Sequence, residues 1–367
     1  MKPMMHVVRA GTAVAMLMCS CLLQTAPARA ADSLPEYRPR PVPPGVIRIY
    51  GSDLNGLVSA WEKGFSRLQP GVKFESKFPS SDGWSAGMEA DSDDIGTSGR
   101  EEVLTEYLSF NETFGYDATE LKVATGAYDI KGKTWALVIY VNKDNPLTRL
   151  TMDQLDGIFG SERTGGYKGY KWMPQYGRGP EKNIRTWGQL GLTGKWADKP
   201  IHTYGYAFTG MTNFFELKVF HGGDRWNPNY REYVEYDTKM VSSGPVGETG
   251  SIRYMLTQEL AKDPYGIAWT GIPHAAGVPQ VKPLAIAAGS GSDYVFPTRE
   301  TVQNRSYPLT RSIYMYLNRA PGKPLRPQVK EFMRYVLSRQ GQAVVVQQGN
   351  YLPLTNRVLQ KQRKELN

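Results

Sequence analysis

Three stretches of this chain combine small residues, hydroxyls and a change from strand to helix periodicity. They are Gly51-Ser52-Asp53, Thr97-Ser98-Gly99-Arg100 and Phe208-Thr209-Gly210-Met211-Thr212. The chemistry such stretches suit is the capture of an oxyanion. The first amides of a helix lack partners within the helix, and its dipole favours negative charge there. Arg100 adds a planar cation that can hold an oxyanion through two parallel hydrogen bonds. Asp53 has an acceptor for a proton on such a ligand. Each stretch also has an ordinary structural use. Ser52, Asp53, Ser98 and Thr209 are common helix caps, and Ser98 with Glu101 spells a capping box.

No catalytic pattern accompanies these turns. Beyond residue 30 the histidines are His202, His221 and His274, without metal-ligand spacing. Neither a Gly-x-Ser-x-Gly elbow nor a phosphate-cradling Gly-x-x-x-x-Gly-Lys loop is present. Asp91, Asp93 and Asp94 are dense enough for a calcium loop but lack its glycine and distal glutamate, so they read as a solvated turn. The expectation is a binding protein that is not an enzyme and carries no cofactor or metal.

The elements that must position the turns follow from hydrophobic period. Val46–Tyr50 reads as a strand, and Leu54, Leu57, Val58, Trp61, Phe65 and Leu68 share one helical face. Val72–Phe78 and Asp94–Thr97 read as further strands, the latter leading into a helix from Ser98. Trp135–Val141 is apolar throughout, as in a strand buried on both faces. Thr151 is placed to cap a helix carrying Leu155, Ile158 and Phe159. Residues 200–220 read as another strand, turn and helix, in which Tyr204, Tyr206 and Phe208 alternate as packing residues on one face, the alternative being that they shape a cleft for a larger or less charged ligand. Ile267–Trp269 and Ser312–Leu317 complete the strands, and 327–340 and 341–348 read as helices. This order predicts an α/β fold with a parallel, doubly wound sheet. Residues 161–185 are irregular, basic and aromatic, a solvated loop by default and a docking surface for a permease or acidic polymer as the alternative.

Residues 1–30 read as a cleavable export signal. Lys2 and Arg9 precede the apolar run Ala10–Leu23, which is shorter than the roughly 20 residues of a membrane span, and Ala28-Arg29-Ala30 is a cleavage pattern. A lipoprotein reading at Cys21 is weaker, because apolar residues continue past it. Both cysteines, Cys19 and Cys21, lie within this leader, so the exported part has no thiol or disulfide. Removing Lys2, Arg9 and Arg29 takes the formal charge from +9 to +6. A basic surplus suits anionic partners, and export argues against nucleic acid. Residues 31–45, with five prolines, read as an extended linker before two domains.

The segment ALVIYVNKDNPLTRLTMDQLDGIF, Ala136 to Phe159, resembles the crossing strand and following helix of phosphate-type periplasmic solute-binding proteins of ABC transporters. Trp187, the run Pro264–Trp269, the run Tyr307–Tyr314, Ser338-Arg339-Gln340-Gly341-Gln342 and Gly349–Leu354 resemble further motifs of that family, in the same order. The resemblance runs from about Val46 to Leu354. It implies a type II periplasmic binding-protein fold: one α/β lobe from 46–139 plus 307–367, a second from 140–306, and two crossover strands. It further implies a monomeric periplasmic receptor that closes on a small oxyanion, phosphate first, and delivers it to an ABC-type permease.

On that resemblance the ligand-binding residues are Ser52, Asp53, Thr97, Ser98, Arg100, Thr209, Gly210, Met211 and Thr212. Two departures stand out: Gly205 occupies the place of the family's arginine, and Gly99 that of its proton-accepting aspartate. Glu101 and Glu102 would repel an anion unless turned away. The alternative is a scaffold repurposed for adhesion, sensing or assembly without tight anion binding. The receptor reading expects Arg100→Ala and Thr209→Val each to weaken anion binding in calorimetry with the fold intact. Unchanged affinity in both would remove these loops from the site.

Overall fold

The computed structural model describes residues 34–130, 132–169, 171–207, 210–234 and 251–366. The leader, Phe208 and Thr209 lie outside the described residues. Two five-stranded sheets organise the rest. The first comprises β1 (Gly45–Gly51), β2 (Val72–Lys77), β3 (Ile95–Ser98), β4 (Thr119–Thr125) and β14 (Ser312–Leu317), in the order β2-β1-β3-β14-β4. The second comprises β5 (Leu137–Asn142), β9 (His202–Tyr206), β10 (Arg231–Tyr233), β11 (Gly266–Gly271) and β12 (Val281–Pro283), in the order β10-β9-β11-β5-β12. Small pairs β6 (Arg149–Thr151) with β13 (Ala285–Ala287), and β7 (Gly166–Lys168) with β8 (Lys171–Met173), complete the strands.

The parallel reading holds for only part of each sheet. In the first, β1 runs parallel to β2 and β3, while β14 is antiparallel to β3 and β4. In the second, β9 runs parallel to β10 and β11, while β5 is antiparallel to β11 and β12. The two odd strands are the ones arriving from the other half of the chain. All six residues of β5 (LVIYVN) and all six of β14 (SIYMYL) are buried, as strands covered on both faces must be.

The principal helices are α1 (Leu57–Leu68), α2 (Trp84–Glu89), α3 (Leu104–Phe114), α4 (Met152–Phe159), α5 (Gly210–Val219), α6 (Pro327–Val336), α7 (Arg339–Gln348) and α8 (Asn356–Lys364). Helix α1 buries Leu57, Val58, Trp61 and Phe65, the stripe read from the period, but starts three residues later than expected. Leu54, Asn55 and Gly56 form a left-handed turn, with φ of 52°, 60° and 86°. The Thr151 cap of α4 forms as expected: its hydroxyl accepts from Gln154 N at 3.1 Å while Gln154 Oε1 accepts from Thr151 N at 2.9 Å.

The proline-rich segment is extended, but it is not a free tether. Tyr37 is 5% exposed, edge-on to Tyr335 at 5.3 Å, and its amide donates to Gln340 Oε1 at 2.8 Å. Arg40 N donates to Glu331 Oε1 and Arg339 N to the Pro35 carbonyl. Prolines fix the segment's shape, and α6 and α7 satisfy its backbone. Tyr37→Ala therefore removes about 3 kcal/mol of stability, readable in urea denaturation as a lower midpoint at unchanged slope. A free linker would show no change.

Candidate anion-binding site

The ends of β1 and β3 meet because Gly51 lets the two backbones touch: at φ 137°, a Cβ there would lie 2.1 Å from the Thr97 carbonyl oxygen. Ser52 N donates to Thr97 O at 2.9 Å, and Thr97 Oγ1 donates back to Ser52 O at 2.7 Å. Asp53 turns its carboxylate onto α1, where Oδ1 accepts from Ser59 N and Ser59 Oγ, both at 2.9 Å. Val58 N is taken by Asp53 O. The first expected turn is thus a self-satisfied helix cap.

The second turn departs further from expectation. No capping box joins Ser98 to Glu101. Ser98 is buried, and its hydroxyl closes a loop with the Arg100 backbone. Gly99 is held by Ser81 Oγ on its amide at 3.0 Å and by a Thr134 hydroxyl donating to its carbonyl. Helix α3 starts at Leu104, where Glu106 Oε2 accepts from Val103 N at 2.9 Å. Residues 99–103 stay irregular, because Glu101 is drawn elsewhere: its Oε2 accepts from Arg311 Nη2 at 2.7 Å and Nε at 3.1 Å, and its Oε1 from Tyr314 OH at 3.2 Å.

Arg100 lies between two carboxylates. Its Nη1 and Nη2 donate to Glu106 at 2.9 and 2.7 Å, while Nε and Nη2 donate to Asp82 Oδ1 at 2.8 and 2.5 Å. Arg100 is thus already paired within the protein, which corrects the expectation that Arg100→Ala leaves the fold intact. Truncation strands Glu106, whose side chain is 8% exposed, and such an unpaired buried charge costs about 3 kcal/mol.

Across the groove stands the start of α5. A Cβ on Gly210 would lie 3.1–3.8 Å from the Arg100 methylenes, and Arg311 Nη2 donates to Gly210 O at 3.4 Å. The Arg311 guanidinium also sits 5.4 Å from the Phe214 ring centre. Thr212 is buried, its hydroxyl donating to Ala207 O at 2.9 Å. Of the three expected helix starts, α5 is the one whose first residue faces the partner lobe's arginines. Met211 belongs to the same first turn; Thr209 lies outside the described residues.

The two acids that threatened an anion are disarmed differently. Glu101 is ion-paired. Glu102 is pushed up to about 8, chiefly by burial and then by Glu106, Glu120 and Asp117, so it is largely protonated at neutral pH. Gly205 cannot carry the family's arginine: a Cβ there would lie 2.3 Å from Trp269 Nε1 and 2.4 Å from Tyr230 OH. Tyr204 and Tyr206 are buried packing residues, Tyr206 lying between Trp135 and Trp269 at 5.6 and 5.2 Å.

A family model described as the PBP superfamily domain matches residues 44–340. The chain belongs to the PBP superfamily. It is similar to the phosphate-binding protein PstS of Pseudomonas aeruginosa, 32% identical over 336 residues covering 91% of each chain. It is also similar, over part of its length, to a PstS of Staphylococcus epidermidis, 25% identical over 212 residues covering 56% of this chain and 51% of the other. Among solved structures, PstS from Borrelia burgdorferi superimposes with a TM-score of 0.50 at 16% identity, covering 84% of this chain and 99% of the other. The architecture is that of a two-lobed type II periplasmic binding protein.

Within this PBP fold, sequence reasoning missed Arg311, Asp82, Ser81 and Thr134. Arg311 stands inside a motif already singled out, and a basic residue at the entry to the buried strand β14 was the available signal. Asp82 and Ser81 carried none. The 161–185 stretch is not the loose loop expected. Arg163 pairs with Asp156, Arg178 donates to Ser161 O and Asn183 Oδ1, and Arg185 donates to the Gly157 and Gly160 carbonyls at the end of α4. Two of the Asp triad are likewise used: Asp94 pairs with Arg48 and Arg326, and Asp91 with Arg48.

The raised Glu102 makes the folded state bind a proton that the unfolded chain has released. Stability contributed at low pH is therefore lost as pH rises from the ordinary glutamate range through about 8. Glu102→Gln should match wild type in thermal midpoint at pH 4 and exceed it at pH 9. Equal midpoints at pH 9 would contradict this burial.

Proposed function

We propose that this chain is an exported receptor that captures phosphate between its two lobes and delivers it to an ABC-type permease. The observation carrying this reading is the 32% identity to a phosphate-binding protein across 91% of both chains. The geometry supports it, since Arg311 donates to Gly210 O at the start of α5 and a Cβ on Gly210 would meet the Arg100 methylenes. The proposed ligand groups are the Arg100 guanidinium and the first amides of α5 at Gly210, Met211 and Thr212. Thr97 and Ser98 donate their hydroxyl protons to the Ser52 and Arg100 carbonyls and so shape the facing wall, while Ser52 Oγ accepts from Leu54 N and Asp53 Oδ1 from Ser59 N.

No step of this reading requires catalysis; the protein binds and releases. Export through residues 1–30 and action as a monomer in the periplasm belong to the same proposal. Helix starts and one arginine are enough for a small anion because the donors are fixed before the ligand arrives.

Protein stripped of phosphate by unfolding and refolding should gain thermal stability when phosphate is returned. At a hundredfold excess over the dissociation constant the gain is about 2.7 kcal/mol. No shift with phosphate, sulfate, molybdate or phosphonates would favour the repurposed scaffold and sink the receptor reading.

A further inference from the structure

The two carboxylates on Arg100 are not equivalent. Glu106 is 8% exposed, engages the Nη1 and Nη2 end of the guanidinium, and is pinned by the Val103 amide. It holds the cation in place. Asp82 is 74% exposed and takes the side edge, Nε and Nη2, on a single oxygen. It projects from a three-residue turn, Ser81–Gly83, whose cap is the Ser80 hydroxyl accepting from Asp82 N at 3.1 Å.

That side edge is the face with which arginine receives an oxyanion through two parallel hydrogen bonds. Asp82 therefore sits on the bidentate position as a tethered carboxylate, on the arginine whose methylenes lie beside Gly210. We infer that Asp82 is an affinity-setting residue: it occupies the side edge of Arg100 when no ligand is bound and is displaced by the incoming oxyanion. This rests on the receptor reading above and adds to it a named competitor.

Magnitudes favour exchange at Asp82 rather than Glu106. An ion pair with one partner this exposed contributes little and is screened by salt, so a doubly charged ligand displaces it readily. Glu106 is buried and bonded three ways, so it stays. The exchange needs no movement of the turn, whose Ser81 Oγ accepts from Gly99 N at 3.0 Å: the exposed Asp82 carboxylate leaves by side-chain rotation alone. A monoanion with a single acceptor gains less at the edge than it must displace. The built-in carboxylate thus raises the threshold for weak anions.

The test is calorimetry with inorganic phosphate on four forms: wild type, Asp82→Asn, Arg100→Gln and the double variant. Asp82→Asn should tighten phosphate binding about two- to fivefold, the equivalent of one exposed ion pair. The gain should vanish in the Arg100→Gln background, because no edge remains to compete for. Unchanged or weaker binding in Asp82→Asn overturns the inference, as does a gain that persists without Arg100, which would mark simple repulsion. Should Arg100→Gln fail to fold, nitrogen-edited spectra of the wild-type Arg100 Nε–H decide. Phosphate should move that resonance, and a resonance left in place at saturating phosphate contradicts displacement. Wild type that binds no phosphate overturns the receptor reading along with this one, whereas wild type that binds normally confines any failure to Asp82.

Discussion

A buried cation ties the two lobes together at the groove. Arg311, 2% exposed immediately before β14, neutralises Glu101 and reaches across to Gly210 and the face of Phe214. A guanidinium taken out of water needs its charge matched and its donors filled. Glu101 does the first, which pulls residues 99–103 out of a helix and delays α3 to Leu104. The irregular loop then leaves Arg100 projecting beside the start of α5. The shape of the groove follows from satisfying that one charge.

The surrounding charge pattern is economical. Arg311 with Glu101 and Arg100 with Glu106 are matched pairs, burial raises Glu102, and Asp82 is a paired acid that stays largely exposed to solvent. A receptor for a dianion must avoid presenting either a bare buried cation or a wall of carboxylates. Here each buried charge has its partner before ligand arrives, and the adjustable element lies at the surface.

Much of the fold was legible because it rests on short-range pattern. β5 and β14 announce themselves as unbroken apolar runs, and α1 by its apolar stripe. The two antiparallel strands were not legible from period, which is blind to direction. The site was legible in its neighbourhoods and misread in its details. Ser52 meets Thr97, and Arg100 lies beside Gly210, yet Ser98 and Glu101 look like a capping box locally while Glu101 is claimed by Arg311, 210 residues away, which no local rule contains. The absent family arginine at Gly205 has a plain cause, since Trp269 and Tyr230 fill the space its side chain would need. Proline content suggested a tether at 31–45, but Tyr37 carries the aromatic contact that docks it.

The most direct measurement is the position of an anion in crystals grown with arsenate, a phosphate isostere that can be located by its anomalous scattering. The account places the arsenic atom between the Arg100 guanidinium and the first amides of α5, with both lobes in contact with it. An arsenate seated elsewhere on the molecule, or a groove that stays empty at saturating arsenate, would contradict it.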